Sequence, residues 1–276
     1  MEPSASSPPW QPLTFGGVAA FARASFVRLF FVQFLMVALV AASVVFFLTS
    51  AWLPEIQKAI ARLPEQGIIQ HGQLQWTNAS PAWLAEGTFL SIVVDAQGNA
   101  PMGPGADVQL ELARNELRVK SLFGHLAVPY PEGWIISLNR TEAGPWWGAW
   151  RPFILIGTGV VVAAGLWLSW VVLATIFMAP VRLIAFYADR EMTIGAAWRV
   201  AGAAMMPGAL LMSGAVVLYS LHRLNLIGLL FAWLLHLVLG WIYVGIAPTR
   251  LPRLSPALPR RRNPFGTGQK KTKPGK

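Results

Sequence analysis

The sequence predicts an α-helical integral membrane protein with four spans and a small extracytoplasmic β-rich (α+β) domain inserted between spans one and two. Three observations predict this fold class: an apolar composition, four long stretches without a formal charge, and a period-two pattern between the first two stretches. Hydrophobic types make up 55% of the 276 residues and charged types 12%, against about 25% charged residues in an average soluble domain. The chain contains no cysteine, which excludes a disulfide scaffold and a zinc site built on thiolates.

The four uncharged stretches each reach the length of a membrane span, since a helix needs roughly 20 apolar residues to cross a bilayer core. The predicted spans are residues 29–48, 153–178, 200–221 and 224–246. Only His222 and Arg223 separate the last two, so these spans must form an antiparallel hairpin. Asn225 follows this turn, where its amide is suited to cap the returning helix.

The segments outside the spans are distinguished by their charge. Residues 1–28 are predicted to be disordered and then interfacial, residues 179–199 to form an amphipathic loop, and residues 248–276 to be a disordered basic tail. Basic residues concentrate in these three segments, which places both termini in the cytoplasm by the positive-inside rule. Residues 54–151 then lie outside the cytoplasm. The first span exceeds the apolar length of a signal peptide and is interpreted as an uncleaved anchor.

The C-terminal tail contains nine basic residues and no acidic one. It could act only as a topology signal, or it could contact anionic lipid at about 1 kcal/mol per basic residue. The candidate lipid contacts are Arg260, Arg261, Arg262, Lys270 and Lys271. No aromatic residues are interleaved as in a base-stacking surface, so nucleic acid is not expected as a partner.

The external segment is predicted to begin with a helix over Glu55–Arg62 and to continue as five or six short strands in an antiparallel meander. His71-Gly72 is read as a hairpin turn. Asp95 follows an apolar strand and is expected to cap the next turn through its own side chain. The remaining carboxylates alternate with basic residues, as they do on solvated strand faces.

No arrangement of residues in the sequence predicts catalysis or a bound cofactor. His71 and His125 have no second ligand at a metal-binding spacing, and neither a nucleophile motif nor a phosphate-binding glycine loop is present. We therefore expect no catalytic residue, no metal and no cofactor.

Two features inside the spans are candidates for a functional role. His236 lies near the middle of the fourth span, where an ionisable residue suggests function by default. Ser169 and Ser213 fall at similar depth and could simply bond to it, which would make the group structural. Pro207 and Gly208 predict a kink in the third span.

The layout resembles a bacterial family of uncharacterised multi-pass membrane proteins, and its second half is distantly similar to the Yip-type proteins of vesicle traffic. The residues that carry this resemblance are Leu63-Pro64, Gly67-Ile68-Ile69 with Gly72, Ile92-Val93-Val94-Asp95 with Gly98, Ala196-Ala197-Trp198-Arg199 and Met206-Pro207. The resemblance implies a bacterial inner membrane and a layout of spans, and it implies no activity. The basic tail and the four-span count depart from the family pattern.

These observations favour a non-enzymatic scaffold, accessory or binding protein whose external domain recognises an envelope ligand or another membrane protein. Membrane lipids are expected partners, and self-association is compatible with the pattern. The alternative is a transporter or channel component with a polar site near His236 and the Pro207 kink. An envelope enzyme would require a reactive cluster that the sequence does not display.

Overall fold

A computed structural model describes residues 11–98, 100 and 106–253 of the chain. Four helical segments in this part are long and apolar enough to cross a membrane, and a β-sheet region lies between the first two, which confirms the fold class at this level. The segments are Phe26–Ala61, Arg140–Tyr187, Ile194–Ser220 and Leu226–Arg250. Their lengths of 36, 48, 27 and 25 residues exceed the roughly 20 that a bilayer core requires.

Two of the four segments are interrupted. The first consists of α2 (Phe26–Phe47), a π-helical turn (Leu48–Trp52) and α3 (Leu53–Ala61), and it is preceded by the short helix α1 (Phe15–Ala20). The third consists of α5 (Ile194–Ala204) and α6 (Met206–Ser220), with the break at Met205. The break lies two residues before Pro207, whose ring cannot continue the hydrogen bonding of the preceding turn.

The second segment is one continuous helix, α4 (Arg140–Tyr187). Residues 179–199 were predicted to form a loop, but the helix continues through Pro180 to Tyr187. Proline removes one helical hydrogen bond, but Val181 and Ala185 beyond it are buried in the bundle, and their burial favours continuing the helix. The helix also begins before the predicted span, because Asn139 caps it by accepting the Glu142 N–H at 2.9 Å.

The fourth segment consists of α7 (Leu226–Ile246) and a 3₁₀ turn (Ala247–Arg250). Asn225 caps α7 as predicted, since its side-chain oxygen accepts the Gly228 N–H at 2.8 Å. The helix packs against α6 in the expected antiparallel hairpin.

The N-terminal segment, predicted to be interfacial, packs into the helix bundle. Val18 and Phe21 are fully buried in the helix bundle. Arg199 on α5 holds this segment in place, because its guanidinium donates to the carbonyls of Phe21 (3.2 Å) and Ala22 (2.6 Å). These two bonds tie α5 to the segment that precedes α2. Residues 1–10 lie outside the described residues.

The described residues between α3 and α4 form eight strands in two sheets. The three-stranded sheet has the order β2-β1-β8, and the five-stranded sheet has the order β3-β4-β5-β6-β7. The strands are β1 (Gly67–Gln70), β2 (Gln73–Trp76), β3 (Ala82–Glu86), β4 (Leu90–Asp95), β5 (Val108–Ala113), β6 (Glu116–Ser121), β7 (Gly124–Pro129) and β8 (Ile136–Ser137). His71 and Gly72 form the turn between β1 and β2, both at positive φ, which confirms the predicted hairpin.

The expectation of a simple antiparallel meander is wrong, because β4 and β5 are parallel. Parallel neighbours require a crossover of about a dozen residues, and residues 96–107 supply it. The end of this crossover is tied to the start of β4, where the Asp107 N–H donates to the Thr88 carbonyl at 2.9 Å. β4 is buried along its whole length, and α3 packs against β3 and β4.

Candidate functional site

Of the three polar residues predicted to lie at similar depth in the spans, two share a cavity. Ser169 and His236 line one cavity of about 200 Å³ between the helices, and Met205 at the helix break lines it as well. Ser213 lies outside that lining. The rest of the lining is apolar and includes Trp170 on α4 and Trp241 on α7.

The hydrogen bonds considered between His236 and the two serines do not form. Ser169 donates to the Leu166 carbonyl at 2.7 Å, and Ser213 donates to the Ala209 carbonyl at 3.0 Å. The His236 ring bonds through Nδ1 to the carbonyl of Trp233. Each of the three side chains therefore forms a hydrogen bond within its own helix, as serine commonly does. The cavity that Ser169 and His236 line is otherwise apolar and suits an apolar guest.

The helix break brings the backbones of α6 and α7 close together at Gly208. A Cβ placed on Gly208 would lie 2.7 Å from the carbonyl oxygen of His236. Only glycine permits so close an approach. The predicted kink residues thus have a packing role beside the cavity.

In the β domain between α3 and α4, Asp95 has the role predicted for it. Its carboxylate is fully buried and accepts the backbone N–H groups of Gln97 (3.2 Å), Gly98 (2.9 Å) and Ala100. A carboxylate with three donors is committed to the turn and is not free for chemistry.

A second carboxylate, Glu111, is buried, which corrects the expectation that the carboxylates lie on solvated strand faces. It pairs with Arg118 at 3.0 Å and with Lys120, both on the neighbouring strand β6. Arg118 also contacts Glu116 at 2.6 Å. This hydrogen bond to Glu116, with the bond to Glu111, raises the pKa of Arg118 above its usual value. These charges neutralise one another, so the network stabilises the sheet.

Within the described residues, no group of three or more His, Cys, Asp and Glu side chains could hold a metal ion. Asp95 and Glu111 are both occupied by the donors described above.

The β domain is fixed on the helix bundle by contacts that sequence reasoning missed. The Tyr219 hydroxyl, in the last turn of α6, donates to Asp107 at the start of β5. The Phe89 ring lies 4.7 Å from that of Tyr219 and 5.6 Å from that of Phe47 on α2. We call Phe47, Phe89 and Tyr219 the junction cluster. Contacts of this size between aromatic rings are worth about 0.5–1.5 kcal/mol each beyond their burial.

An open cleft of about 420 Å³ adjoins the junction cluster. His222 and Arg223, in the turn between α6 and α7, line it together with Asp107. The concentration of polar residues in this two-residue turn was visible in the sequence. The hydrogen bond between Tyr219 and Asp107 was not, because these two residues are 112 positions apart.

The outer strand of the domain is exposed. β7 is the edge of the five-stranded sheet, and every one of its residues is exposed. Leu126 is 63% exposed and Val128 46% exposed. They pair with Val119 and Leu117 on β6. Leu126 and Val128 therefore lie on the same face of the sheet whose residues on β4 and β5 form the core of the domain. We call Gly124–Pro129 the β7 edge.

The basic residues Arg260, Arg261, Arg262, Lys270 and Lys271, predicted as lipid contacts, lie outside the described residues.

Comparisons with protein-family models, with curated proteins and with solved structures found no match to this chain. The resemblance stated from the sequence therefore stays a prediction.

Proposed function

We propose that this chain is a non-enzymatic membrane protein whose external domain is a recognition module for another envelope or membrane protein. The observation that carries the proposal is the β7 edge. An edge strand presents unpaired backbone N–H and C=O groups, and here it also presents Leu126 and Val128 on one face. An extended segment of a partner that adds a strand would pair with the backbone and cover these side chains.

The fixed junction supports this function. A domain held by the Asp107–Tyr219 hydrogen bond and the junction cluster presents the β7 edge in one orientation relative to the membrane. A partner then loses less orientational freedom on binding than it would with a tethered, mobile domain. Such preorganisation is characteristic of a docking platform.

We further propose that the protein resides in a bacterial inner membrane with both termini in the cytoplasm and the β domain outside. The positive-inside asymmetry supports this orientation. The fold groups the same segments, since Arg199 binds the N-terminal segment and Arg190 donates to the Leu251 carbonyl near the C-terminal end of the bundle. The β domain contacts the opposite end.

The test is purification of the intact chain from native membranes in a mild detergent, with bound proteins identified by mass spectrometry. Three baits are compared: the original sequence, Leu126→Lys and the control His125→Ala on the opposite face of the same strand. Because truncating a central interface residue costs 2 kcal/mol or more, we expect Leu126→Lys to lose a stoichiometric partner by about thirtyfold or more. The control should retain it. Equal recovery of one partner with all three baits, or no partner with any, would contradict the proposal.

A second candidate function is passage or sensing of a small solute near His236. The specific observation in its favour is that His236 and Ser169 share one cavity beside the helix break. Against it, the lining is otherwise apolar and provides no continuous polar pathway. If this candidate is correct, His236→Leu should abolish the passage or sensing of the solute. If the β7 edge is the functional surface, the same substitution should leave the recovery of the partner protein unchanged.

A further inference from the structure

The turn between β6 and β7 carries two large apolar side chains that the protein leaves uncovered. Leu122 is 63% exposed and Phe123 is 73% exposed. We call these two residues the hairpin tip. Turns usually carry polar residues or glycine, so an adjacent leucine and phenylalanine at this position require an environment that accepts them.

The strand register shows which end of the sheet the hairpin tip occupies. Ser121 pairs with Gly124 in the last row of the hairpin, and Ser121 also pairs with Val108. Val108 in turn pairs with Leu90 in the parallel strand. The tip therefore lies one step beyond a row of paired residues that crosses the sheet from β4 to β7.

That end of the sheet is the one that meets the helix bundle. Phe89 and Asp107 lie one step beyond the same row on β4 and β5, and both contact Tyr219. Tyr219 belongs to the last turn of α6, next to the loop where the hairpin of spans turns back. The tip therefore lies on the bundle side of the domain, about three strand spacings of 4.8 Å from β4.

We propose that the hairpin tip inserts into the membrane leaflet on the side of the β domain. At that position a leucine and an aromatic ring find apolar acyl chains and the interfacial layer that favours aromatic residues. The domain is then held to the membrane at two places, by the junction cluster through protein contacts and by the hairpin tip through lipid.

Two arguments favour lipid over a second copy of the chain or another protein at the tip. The two side chains expose only a fraction of the about 800 Å² that a specific protein interface needs from each partner. In addition, a strand added along the β7 edge runs beside Gly124–Pro129 and leaves the tip, beyond the last paired row, uncovered. Insertion into lipid requires no minimum interface area, because the spans already hold the protein in the bilayer.

The absence of cysteine makes a direct test possible. Phe123→Cys, or the control Asn115→Cys, introduces one labelling site for a nitroxide in the full chain. Asn115 is exposed in the turn at the opposite end of β6. Each labelled protein is reconstituted in vesicles of phosphatidylethanolamine and phosphatidylglycerol, and collisions with oxygen and with a neutral nickel chelate on both sides of the membrane are measured.

Oxygen concentrates in acyl chains, while a polar chelate is excluded from them. We expect the ratio of oxygen to chelate collisions to be at least about tenfold higher at position 123 than at position 115. Free access of the chelate at position 123 would place the tip in water and overturn the proposal. Low collision rates with both reagents would show a protein contact instead, and would also overturn it. Neither result depends on whether the β7 edge binds a partner.

Discussion

The close approach of α6 and α7 at Gly208 makes a quantitative prediction about helix packing. In Gly208→Ala the new Cβ would lie 2.7 Å from the His236 carbonyl oxygen, well inside normal contact. The obstacle is backbone and cannot rotate away, so α7 must move. Overpacking of this kind costs about 1–3 kcal/mol.

Gly214 on the same helix provides a matched control, because a Cβ there would meet no atom within 4 Å. Both substitutions gain the same intrinsic preference of alanine for helix, about 1 kcal/mol. The difference between the two variants therefore isolates the contact. We expect Gly208→Ala to be less stable than Gly214→Ala by about 1–3 kcal/mol.

The assay is equilibrium unfolding in mixed micelles of a mild detergent and dodecyl sulfate, followed by the fluorescence of the 13 tryptophans. Gly214→Ala should match or exceed the original protein in its free energy of unfolding. If the two variants prove equally stable, the helices do not approach as described and the reasoning is wrong.

Three further predictions concern local contacts. Asp95→Ala should lower the free energy of unfolding of the β domain by about 1–3 kcal/mol, since it leaves the buried Ala100 N–H and the partly buried Gln97 and Gly98 N–H groups without their acceptor; hydrogen exchange at residues 97, 98 and 100 would show it. Asn225→Ala should cost about 0.5–2 kcal/mol through loss of the α7 cap, with unchanged stability as the contrary result in the mixed-micelle assay. Burial raises the pKa of Tyr130 above its ordinary value of 10.0, so above pH 10 the unfolded chain loses a proton that the folded one keeps, and stability falls as pH rises. Tyr130→Phe should remove part of that fall in denaturant titrations at pH 9 to 11, and an unchanged slope would contradict the assignment.

The features that were predicted correctly depend on residues close together in the chain. The Asp95 cap, the His71-Gly72 turn and the Asn225 cap each involve partners within five positions. A short polar side chain next to free backbone donors satisfies them wherever the rest of the chain goes. Composition over a window of roughly 20 residues was likewise sufficient to locate the apolar segments.

The features that were missed depend on distant partners. Residues 179–199 were predicted to be a loop, whereas the burial of Val181 favours continuing the helix past Pro180. Glu111 alternates with apolar residues as a solvated carboxylate would, and only its pairing with Arg118 and Lys120 allows its burial. The intramembrane candidates were partly right, since Ser169 and His236 share a cavity, but depth along a span does not determine which way a side chain points around the helix.

The sequence by itself determined that the chain has four membrane-length apolar helices and a β-rich segment between the first two, because hydrophobicity and its period act over short windows. Tertiary structure alone decided that β4 and β5 run parallel, that Asp107 meets Tyr219, and that the β7 edge and the hairpin tip remain uncovered. These facts arise from how separate segments are packed against one another. The surfaces left over after packing are the ones to which we assign function, and a single sequence does not mark them.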